Sequence, residues 1–329
     1  MTAVVLERTA WDDPDVARLR TQQQAELRER YGDDDIGHLM TGDDIVAMLV
    51  LRSGPAGEAV ACGALRDAAE LGPGTGELKR MFVLPQHRGN GHSRAVLAEL
   101  ERLAHEHGYR RLVLETGPLQ PEAIGLYLSA GYAPTENYGE YVGVTDSRCF
   151  AKELGAPAAG RPGRATASAL VEPRPWRDPE AAALRRRMWD EMIAPVYPEV
   201  VARVAADGGY DAMDDRIGAG ELATWVALVD RRPVGCLSLC RPGPDQPPGT
   251  AELKKLFVDP VARGAGVATA LLATADDEAR ARGLGRLVLH TGVRQPDAVR
   301  LYAALGWRPV APFAPWEHDL LALCFARTL

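Results

Sequence analysis

Glu77-Leu78-Lys79-Arg80-Met81-Phe82-Val83 returns 175 positions later as Glu252-Leu253-Lys254-Lys255-Leu256-Phe257-Val258. Each stretch alternates around a glutamate head and then runs apolar, as a strand does. Behind each comes a glycine-rich turn, an amphipathic segment, a short apolar run (Leu112-Val113-Leu114; Leu287-Val288-Leu289) and a Leu-Tyr pair ahead of Gly-aromatic. The offset holds without a gap from Glu77/Glu252 to Leu154/Leu329. Solenoid repeats have periods of about 20–50 residues. A period this long means two whole domains.

The 329 residues suit two domains of ordinary size. Hydrophobic content of 46% with 25% charged residues is that of a globular chain. No run of about 18 apolar residues is present, so no membrane span is expected. Met1 to Trp11 lacks a basic stretch followed by an apolar core, so no secretory signal is expected either. The five cysteines show no Cys-x-x-Cys spacing and read as buried small hydrophobes, which points to the cytoplasm and implies no metal. Residues 1–154 carry 16 basic and 24 acidic side chains, and residues 155–329 carry 22 and 21. No basic patch speaks for nucleic acid. The acidic first half, with Asp33-Asp34-Asp35 and Asp43-Asp44, either attracts a cationic ligand or is a solvated face.

The Gly-, Ala- and Pro-rich residues 155–168 have linker composition, which divides the chain into domains at 1–154 and 169–329. Within each half the elements repeat. Asp13-Pro14 and Asp178-Pro179 open helices, the first with Val16, Leu19 and Gln23 at helical spacing. Strands are expected at Val4–Leu6, Ile45–Arg52 and Val60–Leu65, and again at 224–229 and 234–239. Helices follow the glycine turns at Arg94–His107 and Ala268–Arg282. From Trp176 to Glu252 the second copy is ten residues longer than the first from Trp11 to Glu77, an excess expected in early helices near 195–220. Each domain is thus a mixed α/β unit with one sheet and helices on both faces.

Arg263-Gly264-Ala265-Gly266-Val267-Ala268 and Arg88-Gly89-Asn90-Gly91-His92-Ser93 each lie between a strand and a helix. Small residues there let successive N–H groups close on an anion, with the helix dipole and an arginine adding positive charge. A surface turn is the plainer alternative, but two copies share the same context. A dinucleotide fingerprint needs another small residue three places after the second glycine, where Arg94 and Thr269 stand. Gly72-Pro73-Gly74-Thr75-Gly76 resembles a P-loop, but Glu77 takes the lysine position and a strand follows.

The combined pattern resembles the GNAT superfamily of N-acetyltransferases, in two tandem copies covering essentially the whole chain. The resemblance implies two α/β domains, each a mixed, mostly antiparallel sheet flanked by helices, with acetyl-CoA as cofactor. The family's pyrophosphate motif is Arg/Gln-x-x-Gly-x-Gly/Ala. Arg263, Gly266 and Ala268 match it fully, whereas the first copy has Arg88 and Gly91 but His92 and Ser93 at the following positions. The strands ending in Met81-Phe82-Val83 and Leu256-Phe257-Val258 resemble the pantetheine-binding strand. Tyr127 and Tyr302 match the family's tyrosine general acid.

Acetyl transfer to an amine needs a neutral amine, a polarised carbonyl and a protonated leaving sulfur. Glu77 and Glu252 are candidate bases, or else surface carboxylates beside Lys79 and Lys254. Glu115 and His290 occupy one equivalent place on the neighbouring strand, where His290 is either a base or a structural histidine. Tyr138/Tyr141 and Phe313/Trp316 wall the acceptor pocket or pack the core. The expected activity is acetylation of a primary amine on a small cationic molecule by direct attack, with the second domain as catalyst. The alternatives are turnover in both domains, or an acyl-CoA sensor or scaffold without chemistry. The chain is expected as a monomer with an internal pseudo-dimer or as a homodimer.

Overall fold

The glutamate-headed strands sit at the centre of two sheets, in a computed structural model that describes residues 4–32, 41–155 and 169–329. The first half runs β1 (Val4–Thr9), α1 (Pro14–Tyr31), β2 (Ile45–Ser53), β3 (Glu58–Asp67), β4 (Thr75–Val83), α2 (His92–Glu106), β5 (Arg111–Thr116), α3 (Pro121–Ser129), β6 (Ala133–Thr135) and β7 (Arg148–Glu153). The second half runs β8 (Leu170–Arg174), α4 (Pro179–Met188), α5 (Pro198–Ala206), α6 (Gly209–Gly218), β9 (Glu221–Val229), β10 (Arg232–Cys240) and β11 (Thr250–Val258). It continues with α7 (Val267–Ala281), β12 (Arg286–Gly292), α8 (Pro296–Ala304), β13 (Arg308–Val310) and β14 (Ala322–Thr328). Contacts group the chain into two compact units, residues 1–158 with 295–303 and 318–321, and the remainder. Apart from Gly155, the segment read as a linker lies outside the described residues, as do Asp33-Asp34-Asp35.

Each sheet has seven strands, ordered β1-β2-β3-β4-β5-β7-β6 and β13-β14-β12-β11-β10-β9-β8. The only parallel pairs among the described residues are β4 with β5 and β11 with β12, so both sheets are mixed and mostly antiparallel. A parallel neighbour requires a crossover, and α2 and α7 supply it. Their apolar positions explain their faces: Val96, Leu97, Leu100 and Leu103 are buried on α2, and Val267, Leu271, Leu272 and Ala275 on α7. Burying each of the larger side chains contributes about 1.5–3 kcal/mol.

The Asp-Pro signals act as expected. The Asp13 carboxylate accepts from the Asp15 and Val16 amides at 2.9 and 3.2 Å, and Asp178 accepts from Glu180 and Ala181 at 3.0 and 3.1 Å. Proline takes the first helical position, where no N–H partner is lost. The longer early region of the second copy contains α5 and α6. α2 and α7 begin at His92 and Val267, a residue or two before the expected start, because the turn glycine itself serves as N-cap. Among the described residues no helix is long and apolar enough to cross a membrane.

Candidate active sites

Gly91 and Gly266 are N-caps with the same backbone, φ 80° and ψ 4°. Side chains other than glycine are strained at such positive φ. No side chain caps either helix, so the first-turn N–H groups remain available to an anion, and the 15-residue helices behind them supply a dipole. Positions Asn90 and Ala265 sit between two left-handed glycines, Gly89/Gly91 and Gly264/Gly266. At the next position His92 and Val267 are both buried, so the histidine packs where the valine does. Burial holds its pKa below the usual histidine value. Ser93 and Ala268 are half-buried on the first helical turn.

The loop arginines differ in one contact. Both donate Nε to the last carbonyl of the preceding strand, Arg88 to Val83 at 3.1 Å and Arg263 to Val258 at 3.3 Å. Arg88 also donates Nη2 to the Glu26 carboxylate at 2.5 Å, whereas Arg263 Nη2 faces the Met192 sulfur at 3.2 Å.

A bulge interrupts each central strand. The β3–β4 register shifts between Cys62 and Ala64, and the β10–β11 register shifts between Cys236 and Ser238. Arg80 and Lys255, equivalent residues at the bulges, have φ of 56° and 62°, a costly conformation for non-glycine residues. Cys62 and Cys236 donate their thiols to the carbonyls of these two residues at 3.4 Å each. Beyond the bulges the parallel partners part: β4 pairs with β5 only from Thr75 to Leu78, and β11 pairs with β12 only from Thr250 to Glu252. Met81–Val83 and Leu256–Val258 therefore lie on the parted edge. Two tyrosines stitch α1 and the start of α5 to the other side of this opening. Tyr31 accepts from the Leu119 amide at 2.9 Å and Tyr197 from the Arg294 amide at 3.1 Å. A Cβ on Gly117 or Gly292 would fall 1.9 or 2.0 Å from those hydroxyls, so only glycine fits there.

Neither glutamate is a surface carboxylate: Glu77 is 1% and Glu252 2% exposed. Glu77 is fully engaged. Arg66 donates at 2.9 and 2.7 Å, Lys79 at 2.9 Å and the Tyr138 hydroxyl at 2.9 Å. Lys79 is itself in contact with the Tyr141 hydroxyl. In the second copy the lysine remains, Lys254 to Glu252 at 2.5 Å, but Phe313 replaces Tyr138 and Cys240 takes the cross-strand place of Arg66. Burial pushes the Glu252 pKa up, and Lys254 and a hydrogen bond from Trp316 offset part of this.

Glu115 and His290 lie on the strand beside these glutamates, both half-buried. Burial pushes the Glu115 carboxyl up to about 6, against a 2.8 Å hydrogen bond from Ser147 and the pull of Lys79. His290 stacks on Trp316 with ring centroids 3.5 Å apart. Burial, reinforced by Lys254, Lys255 and Arg203, holds it well below the ordinary histidine pKa, so it is neutral at pH 7. Tyr138 and Tyr141 meet edge to face at 5.6 Å, and Phe313 packs with Val288 and Cys324 while Trp316 packs against that cluster. Tyr127 on α3 and Tyr302 on α8 are buried, and burial raises both phenol pKa values, keeping them protonated. Arg66 and Glu26 are absent from the sequence reading, and Gln23 enters it only as a residue at helical spacing. The signal for Arg66 and Gln23 is that the second copy has Cys240 and Met188 at those places, whereas Glu26 has Glu191 at the matching position and so gives none.

The sequence model of the acetyltransferase (GNAT) family matches residues 6–132 and 184–307. The chain belongs to this family, and the two matching regions correspond to its two sheets. It is 40% identical over 105 residues to an IAA acetyltransferase of Azospirillum brasilense, covering 31% of this chain and 67% of that protein. It is 41% identical over 59 residues to N-acetyltransferase 8F1 of Rattus norvegicus, covering 18% of this chain and 27% of that one. The chain thus spans two thirds of the first relative and about a quarter of the second. Similar solved structures include an acetyltransferase of Streptococcus agalactiae, at 20% identity and TM-score 0.38, covering 50% of this chain and 99% of that one. A GNAT family acetyltransferase of Elizabethkingia anophelis with acetyl-CoA bound is 17% identical, with TM-score 0.34, covering 46% of this chain and 98% of that one.

Proposed function

We propose that the protein is an acetyl-CoA-dependent N-acetyltransferase of tandem build, with domains at 1–154 and 169–329, in which the second domain is the principal catalyst. The observation that carries the ranking is the contrast between the two glutamates. Glu77 is held by Arg66, Lys79 and Tyr138, whereas Glu252 keeps only the lysine of those three, beside a neutral His290.

The open N–H groups at Val267 and Ala268, with Arg263, suit a pyrophosphate, and the parted edge Leu256–Val258 suits an amide-bearing arm. Acetyl-CoA, when bound, supplies the acetyl thioester. His290 accepts the proton of the incoming ammonium, directly or through one water, because a neutral imidazole is available across the physiological range. Glu252 holds Lys254 in place beside it. Backbone N–H groups of Leu256–Val258 stabilise the charge that develops on the carbonyl oxygen. Tyr302, kept protonated by burial, donates to the departing sulfur. The acceptor is the primary amine of a small molecule. Lys254, Lys255 and Arg203 act on His290, which favours an amine that also carries a carboxylate in this domain. A cationic acceptor suits the first domain, where Glu77 and Glu140 lie near Glu115.

Thiol release from acetyl-CoA, measured with a panel of amino acids, polyamines and aminoglycosides, tests this reading. Gly266→Glu should abolish most turnover and Gly91→Glu little of it. No thiol release with any amine overturns the enzyme reading and leaves acyl-CoA binding alone. Loss confined to Gly91→Glu reverses the ranking of the domains.

A further inference from the structure

The two anion loops share their backbone and differ in what their arginine touches. In the first half, Glu26 on α1 accepts from Arg88 at 2.5 Å and from Arg30 at 2.7 Å, and these side chains line an open cleft of about 690 Å³ together with Glu29, Phe82 and Pro85. Both arginines pull the Glu26 carboxyl below its usual range against the opposing effect of burial, so it is anionic at neutral pH. Three residues earlier on the same helix, Gln23 donates to the Met81 carbonyl at 3.0 Å. α1 therefore engages both the loop arginine and the parted strand.

In the second half Glu191 matches Glu26 when counted from the capping aspartates, but it lies in a π-helical turn, Trp189–Ile193, pairs with Arg187 at 2.8 Å, and leaves Met192 to face Arg263. Arg187 also holds Asp259, again at 2.8 Å. The first half has Gln22 in place of Arg187 and Leu84 in place of Asp259, so nothing equivalent draws Glu26 away from Arg88.

We propose that Glu26 is a carboxylate latch on the first loop: it occupies Arg88 and lowers that domain's affinity for the CoA pyrophosphate, while the second loop has Met192 against its arginine instead. This rests on the reading of both loops as CoA sites. A pyrophosphate arriving at the first loop must displace a carboxylate from Arg88 and then sit beside it. At the second loop it meets an arginine whose Nη2 faces a neutral sulfur, and the nearby Asp259 carboxylate is ion-paired to Arg187 at 2.8 Å.

The test is calorimetric titration of the full chain with CoA, and with pantetheine as a probe that lacks the pyrophosphate. In a Gly266→Glu background, which leaves the first site to be read, Glu26→Gln should tighten CoA binding about two- to fivefold, the worth of one partly exposed ion pair. Pantetheine binding should not change. Glu122→Gln, which touches Arg30 but not Arg88, should leave CoA affinity as it was. CoA uptake with equal Kd in the presence and absence of Glu26, or equal tightening for pantetheine, overturns the latch alone. A wild-type chain that takes up no CoA overturns the loop reading and the latch with it.

Discussion

Replacing Glu77 with glutamine keeps the shape of a buried side chain and removes its charge. Its carboxylate receives Arg66, Lys79 and the Tyr138 hydroxyl, all within 2.9 Å, at 1% exposure. Breaking one side of a buried charge cluster costs about 3–5 kcal/mol, because the partner charges stay behind uncompensated. Arg66 can fall back on Glu70, 2.7 Å away, which places the loss near the lower end, about 3 kcal/mol. Glu252→Gln leaves Lys254, which is 19% exposed and can turn to water, and the neutral Trp316 indole, which can still donate to the amide oxygen, so about 1–2 kcal/mol is expected there. Hydrogen exchange read on peptides covering β3–β5 and β10–β12 separates the two halves within one chain. At tenfold per 1.4 kcal/mol, about 3 kcal/mol is roughly a hundredfold faster opening in β3–β5 for Glu77→Gln. Unchanged protection with lost turnover would show that Glu77 acts in the chemistry and that the reasoning from its partners is wrong.

Tyr302→Phe removes one hydroxyl and keeps the ring, so kcat should fall about 10²–10⁴-fold with little change in KM or Tm, while Tyr127→Phe has the smaller effect. A variant that turns over normally but melts earlier would make Tyr302 structural. Gly91→Glu and Gly266→Glu enter the same φ of 80°, so backbone strain cancels between them, and calorimetry should show the larger loss of CoA binding for Gly266→Glu. The pH dependence has opposite signs in the two halves. The raised Glu115 carboxyl favours its protonated form in the fold, so its stability contribution is present at low pH and lost as pH rises through about 6. The depressed His290 favours its neutral form, so its contribution is present above about 6.5 and lost as pH falls below that value. Glu115→Gln and His290→Gln should each flatten one limb of half-specific exchange protection between pH 4.5 and 7.5, and an unaltered limb would refute the assignment.

The duplication, the element order and the two glycine loops are legible in the residues alone. These follow from local rules: alternation marks a strand, Asp-Pro marks a helix start, and an anion turn needs glycine at positive φ. The loops at Gly91 and Gly266 adopt one backbone because the same small residues stand at the same places. The cross-strand and cross-helix partners of the site residues were decided only by tertiary structure. Glu77 and Glu252 head the same heptapeptide, yet their partners differ, because Arg66 and Tyr138 reach Glu77 from a neighbouring strand and a distant loop while Glu252 meets Lys254 and Trp316. Arg88 and Arg263 occupy one motif position, but helix side chains more than 60 residues away decide that one meets a carboxylate and the other a sulfur. Burial likewise separates Glu115 from an ordinary glutamate and His290 from an ordinary histidine, since desolvation depends on what packs around a group and not on its neighbours in sequence.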